Sequence, residues 1–183
     1  MKSITLPALS ILSLLLVACG PGIDLPKGTS RGYSSARLTQ RNPNLPVRTD
    51  PTERSVHGMI QDSLARQCRA KGLAYGAANA ELVVAYLVIY QEPGMTSSYQ
   101  DYFGYGRSAE AITERAHMRG AVESKRPDFF QRAGIVVDLI DSRTHKLVYR
   151  NFEAGDVVRG ASGPARAARI DAAIGRILAG FFR

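Results

Sequence analysis

The stretch Leu82-Val83-Val84-Ala85-Tyr86-Leu87-Val88-Ile89-Tyr90 decides the fold of this chain. Aliphatic, β-branched and aromatic residues follow one another there without a charged residue, over a length too short for an ordinary helix. Both faces of such a strand are apolar, so other parts of the chain must cover both. The stretch therefore predicts a central strand of a sheet.

Two further strand patterns lie in the second half of the chain, Ala133–Asp141 and His145–Phe152, joined by Ser142-Arg143-Thr144. The short connection favours a hairpin. Asp138 interrupts one apolar face, and across the turn it could meet Arg150 or Lys146. We interpret this as a structural cross-strand pair worth a few tenths of a kcal/mol.

Two helices are indicated by capping residues and apolar spacing. The first opens with Asp50, Pro51 and Glu53, a combination that satisfies unpaired backbone N–H groups at a helix start. Its apolar face consists of Val56, Met59, Ile60, Leu64 and Cys68, and Gly72 terminates it. The second follows Pro164, with Ile170, Ala173, Ile174, Ile177, Leu178 and Phe181 at helical spacing. Cys68 is predicted to be a buried core residue.

The remaining segments are less regular. A short first strand is predicted through Tyr33, Ala36 and Leu38, and Gly94–Gly106 is predicted to be a long loop. Ala109–Val122 fits either a strand or a helix, and an edge strand is the preferred interpretation. The order of elements predicts an α+β fold, with a mixed, mostly antiparallel sheet and two main helices packed on one face.

The amino terminus has the layout of a secretory leader. Lys2 precedes an apolar stretch, Ile4–Val17, and small Ala18 is followed by Cys19. The stretch is shorter than the about 20 residues that cross a bilayer as a helix. We predict a lipoprotein signal peptide over residues 1–18, lipidation of Cys19, a flexible tether over residues 19–31 and one α+β domain over residues 32–183.

Lipidation sets the expected location. Two or three acyl chains on Cys19 suffice for stable anchoring in a membrane. Gly20 follows it in place of the aspartate that often retains such proteins at the inner membrane, which favours the outer membrane with the domain facing the periplasm.

The chain is basic, with a formal net charge of +8. The arginines are spread along the chain without a clustered basic run, so we do not expect nucleic-acid binding. Expected partners are the membrane, through the lipid on Cys19, and an envelope protein or an anionic envelope polymer.

Several of these segments together resemble a known family. The lipoprotein leader, Ala80–Tyr86, Ala133–Asp141 and Thr144–Arg150 are similar to the bacterial envelope lipoproteins known as domain of unknown function 4136, over about residues 31–182. This chain has Tyr149 where a tryptophan is more usual. The resemblance implies an α+β lipoprotein facing the periplasm, and it brings no catalytic residues.

Candidate catalytic patterns are weak. Gly28–Gly32 matches the letters of a nucleophile elbow but lies in the predicted tether, and Gly104–Ala109 lacks the preceding strand of a dinucleotide site. His57, His117 and His145 are too far apart in sequence to indicate a metal site. Asp138 and Asp141 are not expected to share a pocket. We therefore expect neither an enzyme, nor a cofactor, nor a metal.

A tyrosine-rich stretch is the candidate partner-contact surface: Tyr99, Tyr102, Phe103 and Tyr105. Aromatic side chains on loops supply contact area at low entropic cost. A lid folded over the sheet, or a disordered segment, are the alternatives. The expected function is a non-enzymatic accessory or interaction module of the envelope; the alternative is a small-ligand-binding protein or hydrolase with a groove beside this stretch.

Overall fold

The computed structural model describes residues 25–92, 95–104, 109–123 and 132–183, with the backbone alone described for 119–123. The strands are β1 Ser35–Leu38, β2 Ala74–Tyr75, β3 Leu82–Glu92, β4 Met95–Tyr102, β5 Arg132–Asp141 and β6 Leu147–Asp156. The helices are α1 Pro51–Ala70, α2 Ala109–Glu123 and α3 Gly163–Ala179. No helix in these ranges has the length and apolar character to cross a membrane.

Strand β3 is the centre of a six-stranded sheet, as predicted. The main path of the sheet runs β2, β1, β3, β5, β6. One edge of β3 pairs with β5 antiparallel, from Leu82 opposite Asp141 to Gln91 opposite Arg132. Its other edge is shared between β1, which is parallel, and β4, which is antiparallel. The predicted α+β fold with a mixed, mostly antiparallel sheet is therefore confirmed.

Helices α1 and α3 cover one face of the sheet. The Asp50 carboxylate accepts the N–H groups of Thr52 and Glu53 and so begins α1, as the sequence predicts. The side chains buried between these helices and the sheet include Ile60, Leu64, Cys68, Leu82, Val84, Tyr86, Val137, Ile174, Ile177 and Phe181. The prediction that two main helices pack on one face is confirmed, and so is the burial of Cys68.

The opposite face of β3 is covered by α2. Val83, Ala85 and Leu87 pack there against Ile112 and Phe103. The predicted edge strand over Ala109–Val122 is therefore wrong. The segment is rich in Ala, Glu and Arg, which favour a helix. Tertiary packing decides in favour of the helix, because β3 is apolar on both faces and its second face must also be covered.

The predicted loop over Gly94–Gly106 is wrong for residues 95–102, which form β4. Met95 pairs with Glu92 and Ser98 with Ile89, so the segment satisfies the N–H and C=O groups on the second half of β3. Its Thr and Tyr residues favour a strand and its Asp does not, so the pairing with β3 decides the conformation. Gly94, Tyr105 and Gly106 lie outside the described residues.

The part of the predicted tether that is described, residues 25–31, is attached to the domain. The Pro26 carbonyl accepts the Arg150 N–H at 3.0 Å, and the Gly28 N–H donates to the Val148 carbonyl at 2.8 Å. The Ser30 N–H donates to the Phe181 carbonyl at 2.8 Å. The flexible-tether prediction is thus wrong for this part, because the open edge of β6 provides backbone partners. Cys19 and the rest of residues 1–24 lie outside the described chain.

Candidate functional site

A polar cleft of about 280 Å³ lies at the start of α1, beside the end of β4. Its lining residues are Arg41, Val47, Arg48, Arg54, His57, Gly58, Gln61, Asp101 and Tyr102. Helix α1 contributes His57 and Gln61 one helical turn apart, so both side chains point to the same side. The cleft therefore occupies the place where the sequence predicts a groove beside the tyrosine-rich stretch.

His57 is buried at the bottom of the cleft and is bonded to the central strand. Its Nδ1 lies 2.6 Å from the Tyr86 hydroxyl, and Gln61 Nε2 donates to the same hydroxyl at 3.0 Å. Because the hydroxyl already accepts from Gln61, its own proton is available for His57 Nδ1. This places the proton of a neutral imidazole on Nε2.

A bulge in β4 brings Asp101 to His57. The register changes from Tyr86 opposite Tyr102 to Val88 opposite Tyr99, so β4 contains one extra residue. As a result Tyr99 and Tyr102, three residues apart, both pack towards α1, where a regular strand would turn one of them away. Asp101 lies in the bulge, with its Oδ2 3.7 Å from His57 Nε2.

Two arginines compensate the buried Asp101 carboxylate. Arg41 Nη2 donates to Oδ1 at 2.9 Å, and Arg48 Nε donates to Oδ2 at 2.5 Å. Burial raises the pKa of Asp101, but these hydrogen bonds outweigh burial and hold the pKa below its usual value. Burial dominates at His57 and lowers its pKa. The arrangement therefore favours an ionised Asp101 beside a neutral His57.

Three tyrosine rings surround His57. The ring centroids of Tyr86, Tyr99 and Tyr102 lie 5.6, 5.9 and 5.8 Å from that of His57. Tyr86 and Tyr102 stack at 5.4 Å, and the Arg48 guanidinium lies 4.1 Å from the Tyr99 ring centroid. Burial and a hydrogen bond to Glu53 raise the pKa of Tyr99 to about 12. We call His57, Gln61, Tyr86, Tyr99, Asp101 and Tyr102 the His57 cluster.

The predicted contact residues are distributed over both faces of the sheet. Tyr99 and Tyr102 are half-buried within the His57 cluster. Phe103 is buried on the α2 face, where its ring centroid lies 5.7 Å from the Arg150 guanidinium carbon. The sequence analysis expected exposed aromatic residues on a loop, but Tyr99, Tyr102 and Phe103 are half-buried or buried. Tyr105 lies outside the described residues, and a partner contact by this stretch stays a prediction.

Asp138 and Arg150 form a buried ion pair under α2. They are opposite each other on β5 and β6, and each side chain is 1% exposed. Arg150 Nε donates to Asp138 Oδ1 at 2.6 Å, and Nη2 donates to Oδ2. Of the two partners predicted for Asp138, Arg150 is the correct one. The predicted stabilisation of a few tenths of a kcal/mol is typical of solvent-exposed pairs. It does not apply to this pair, because both charged groups are removed from water.

Asp141 has a separate role in the hairpin turn. The backbone N–H groups of Thr144 and Arg143 and the Tyr33 hydroxyl donate to its carboxylate. The hydrogen bond from the Thr144 N–H contributes most to lowering the pKa of Asp141 to about 2, and burial of the carboxylate acts in the opposite direction. Asp138 and Asp141 therefore serve different structures and do not converge on a shared pocket.

The other histidines and the nucleophile-like pattern lie away from the cleft. His117 Nδ1 lies 2.8 Å from the Thr96 hydroxyl, and His145 takes a left-handed backbone conformation in the turn before β6, with φ 56°. Within the described ranges, no group of three His, Cys, Asp or Glu side chains is placed to hold a metal ion. Gly28–Gly32 runs along β6 and α3, not between a strand and a helix.

Sequence reasoning missed most of the His57 cluster. It placed His57 on the first helix, beside the apolar face, and did not select Asp101, Gln61, Arg41 or Arg48. Only the spacing of Tyr99 and Tyr102 carries a signal for the bulge, and that signal is visible only once β4 is known to be a strand. The arginines come from the turn-rich segment before α1, and their position follows from tertiary packing.

Comparison with solved structures yields remote similarity. A dodecameric PelC variant from Paraburkholderia phytofirmans is 14% identical, with 86% of this chain and 93% of that chain covered and a TM-score of 0.43. A second PelC dodecamer from that organism is 12% identical, with 88% and 94% covered and a TM-score of 0.42. A DUF330-family protein from Xanthomonas campestris is 14% identical, with 85% and 83% covered and a TM-score of 0.34. At such scores these similarities support no functional conclusion.

Comparison of sequences is more decisive. No curated protein matches the chain. The sequence profile described as "Domain of unknown function (DUF4136)" matches residues 30–181, which include every helix and strand from β1 to α3. This chain therefore belongs to the DUF4136 family.

Proposed function

We propose that this chain is a lipoprotein of a bacterial envelope, anchored through a lipid on Cys19, whose domain contacts other envelope components without catalysing a reaction. The observation that carries the proposal is the position of Cys19. Cys19 directly follows an apolar leader. It lies six residues before Leu25, the first described residue of the domain. An anchor there would hold the whole domain close to a membrane.

The contacts in the cleft support a non-enzymatic role. Arg41 and Arg48 are engaged by Asp101, and His57 Nδ1 by Tyr86. A general acid or base must reach the reacting atom of a substrate, whereas the Tyr86 side chain is fully buried. No Ser or Cys is among the described residues that line the cleft. These groups join α1, β3 and β4 to one another.

The proposed location is the outer membrane, with the domain in the periplasm. Gly20, directly after Cys19, supports sorting away from the inner membrane. The net charge of +8 supports attraction to an anionic envelope polymer or to an acidic surface of an envelope protein. The domain would act as an accessory or interaction module.

A small-ligand-binding protein or hydrolase is the second candidate, and the cleft is the observation that favours it. Its volume of about 280 Å³ is close to the lower end of ligand pockets, which begin at about 300 Å³. Its lining includes three arginines and one carboxylate, and two of these arginines are already paired with that carboxylate. This lining makes the cleft a weaker argument than the anchor.

Mass spectrometry of the native protein tests the proposal. The expected amino-terminal peptide begins at Cys19 and carries a diacylglyceryl group, and the Cys19→Ala chain retains Met1 and its leader. An intact Met1 in the wild-type protein, or a free Cys19 thiol, would overturn the anchoring.

Affinity capture from crosslinked envelopes tests the interaction role. We expect a reproducible envelope partner for the wild-type protein and its loss for Cys19→Ala. Turnover of ester or glycoside substrates by the wild-type protein, abolished in His57→Gln, would instead establish the hydrolase alternative.

A further inference from the structure

Exposed apolar side chains occur at one end of the sheet, which we call the basal end. There β3 ends at Glu92, β4 begins at Met95, β5 begins at Arg132 and β6 ends at Asp156. Met95 is 57% exposed, and Val158 just beyond β6 is 48% exposed. Single exposed apolar side chains are ordinary, but their occurrence together with basic residues is typical of a membrane-contacting surface.

The basal end also carries an excess of arginine in the described chain. Arg132 is opposite Asp156, and Arg169 donates to the Asp156 carbonyl at 2.8 Å. Arg159 is close enough to Tyr90 to lower its pKa, although burial dominates and raises it. Arg132, Arg159 and Arg169 thus lie at this end together with the carboxylates of Glu92 and Asp156. The surface is complementary to an anionic one.

The direction of the amino-terminal segment points to the same end. The bridge between Lys27 and Tyr149 is antiparallel, so from Gly28 back to Leu25 the chain runs along β6 in the direction of Asp156. Lys27 Nζ, 3.3 Å from Asn151 Oδ1, confirms this direction.

The length of the preceding chain fits the distance to the basal end. From Asn151, beside which Leu25 lies, to Asp156 the strand covers about 17 Å at about 3.4 Å per residue. The six residues from Cys19 to Leu25 span at most about 20 Å when fully extended. The turn at the opposite end, near Thr144, is about 24 Å from Asn151 by the same measure. A lipid on Cys19 reaches the basal end and does not reach the turn.

We propose that the basal end of the domain docks on the anionic phospholipid surface in which Cys19 is anchored; this inference rests on the proposed anchoring. Val158 and Met95 enter the headgroup region, and the arginines meet lipid phosphates. Attraction to an anionic surface decays within about 8 Å at physiological ionic strength. The arginines are therefore attracted to the lipid phosphates only because the short segment after Cys19 holds them within this distance of the membrane surface.

Tryptophan fluorescence tests the docking directly, because the chain contains no tryptophan. Met95→Trp and Val158→Trp each place a single reporter at the basal end. Thr144→Trp is the matched control, since Thr144 is exposed in the turn between β5 and β6, at the opposite end of the sheet. Retention of the wild-type melting temperature shows that each variant folds.

The attachment to the membrane is made chemically. The mature chain, beginning at Cys19, is coupled through that thiol to a maleimide lipid in vesicles of phosphatidylethanolamine and phosphatidylglycerol with brominated acyl chains. Cys68 stays unreacted, because it is 1% exposed and burial raises the pKa of its thiol to about 11. Since no cellular lipidation is needed, failure of docking is distinguishable from failure of the proposed anchoring.

Quenching by the brominated lipid is expected to be several-fold stronger for Met95→Trp and Val158→Trp than for Thr144→Trp. It should weaken when Arg159→Gln and Arg169→Gln are added, or when phosphatidylcholine replaces phosphatidylglycerol. Arg143→Gln with Lys146→Gln, at the opposite end, should leave it unchanged. Equal quenching of the basal and control reporters would overturn the docking, and insensitivity to the basal arginines would overturn the anionic surface as its partner.

Discussion

The Tyr86 hydroxyl bridges His57 and Gln61, at 2.6 Å from His57 Nδ1 and 3.0 Å from Gln61 Nε2. Tyr86 belongs to the central strand and the other two to α1, so a single hydroxyl joins helix and sheet through two buried hydrogen bonds. The neighbouring Asp101 adds the edge strand β4 to the same network.

Replacing Tyr86 by Phe is expected to destabilise the domain by about 1–3 kcal/mol, because His57 and Gln61 each lose a buried partner. Urea denaturation measures the change. Tyr75→Phe is the matched control: its hydroxyl is buried without a hydrogen-bond partner among the described residues, so its removal should be neutral or stabilising. A neutral Tyr86→Phe would show that the hydroxyl does not support the fold.

The stability of the domain should decrease as the pH falls below about 6.5, through His57. Burial lowers the pKa of His57 in the folded state, so the unfolded chain binds the proton more readily. The contribution is fully present above the unfolded pKa of about 6.5 and is lost as the pH falls towards the lowered folded value. The charges facing the ring are Asp101 and Glu53, which oppose this shift, and Arg48 and Arg41, which add to it.

Unfolding free energies measured between about pH 5 and 8 test this slope. His57→Gln should be less stable than the wild type at neutral pH and should vary less with pH. His117→Gln, at an exposed histidine of α2, should retain the wild-type slope. Identical slopes for all three proteins would contradict the assignment to His57.

Removing one partner of the Asp138–Arg150 pair should cost about 3–5 kcal/mol, because the other charge stays buried without its partner. Asp138→Leu and Arg150→Met are each expected to be strongly destabilised. The double variant should recover much of the loss, since it leaves neither charge in the core. A double-mutant cycle by chemical denaturation measures this coupling.

The exposed pair of Arg176 and Glu153 provides the control for that cycle. Its Nε–Oε1 distance is 2.8 Å, but both side chains remain in contact with water. Arg176→Met should therefore change stability by at most about 1 kcal/mol. A similar cost for the exposed and the buried pair would argue against desolvation as the cause.

Gly28→Ala should detach the amino-terminal segment from β6. A Cβ at Gly28 would lie 2.4 Å from the Val148 carbonyl oxygen, which is backbone and cannot rotate away. Amide hydrogen exchange should show lost protection at Gly28, Ser30 and Arg150. Gly58→Ala, whose added Cβ has open space within α1, should instead gain up to about 1 kcal/mol and keep that protection.

The main elements of the fold follow from local sequence. The apolar stretch at Leu82–Tyr90 predicts its own central position, and Asp50, Pro51 and Glu53 predict the start of α1. The hairpin of β5 and β6 is readable from two strand patterns and a short turn. These signals are strong because each depends on residues close together in the chain.

Two segments were misjudged for a common reason. The composition of β4 is mixed and that of α2 favours a helix without placing it, and both take their positions because β3 needs a partner on its edge and cover on its second face. The His57 cluster depends on β4, since a single bulge turns Tyr99, Asp101 and Tyr102 towards α1. A residue inserted in a strand has no signature in sequence without knowledge of the pairing.

Local sequence patterns suffice to predict the central strand, the two helices on one face, the hairpin, the buried Cys68 and the resemblance to the DUF4136 family. Packing of the whole chain sets the third helix, the strand formed by Met95–Tyr102, the attachment of Pro26 and Gly28 to β6 and the burial of Asp138 with Arg150. The two groups differ because helix caps and apolar periodicity act between near neighbours in the chain. Strand edges, ion pairs and bulges bring together residues that are distant in sequence, so only the packed chain reveals them.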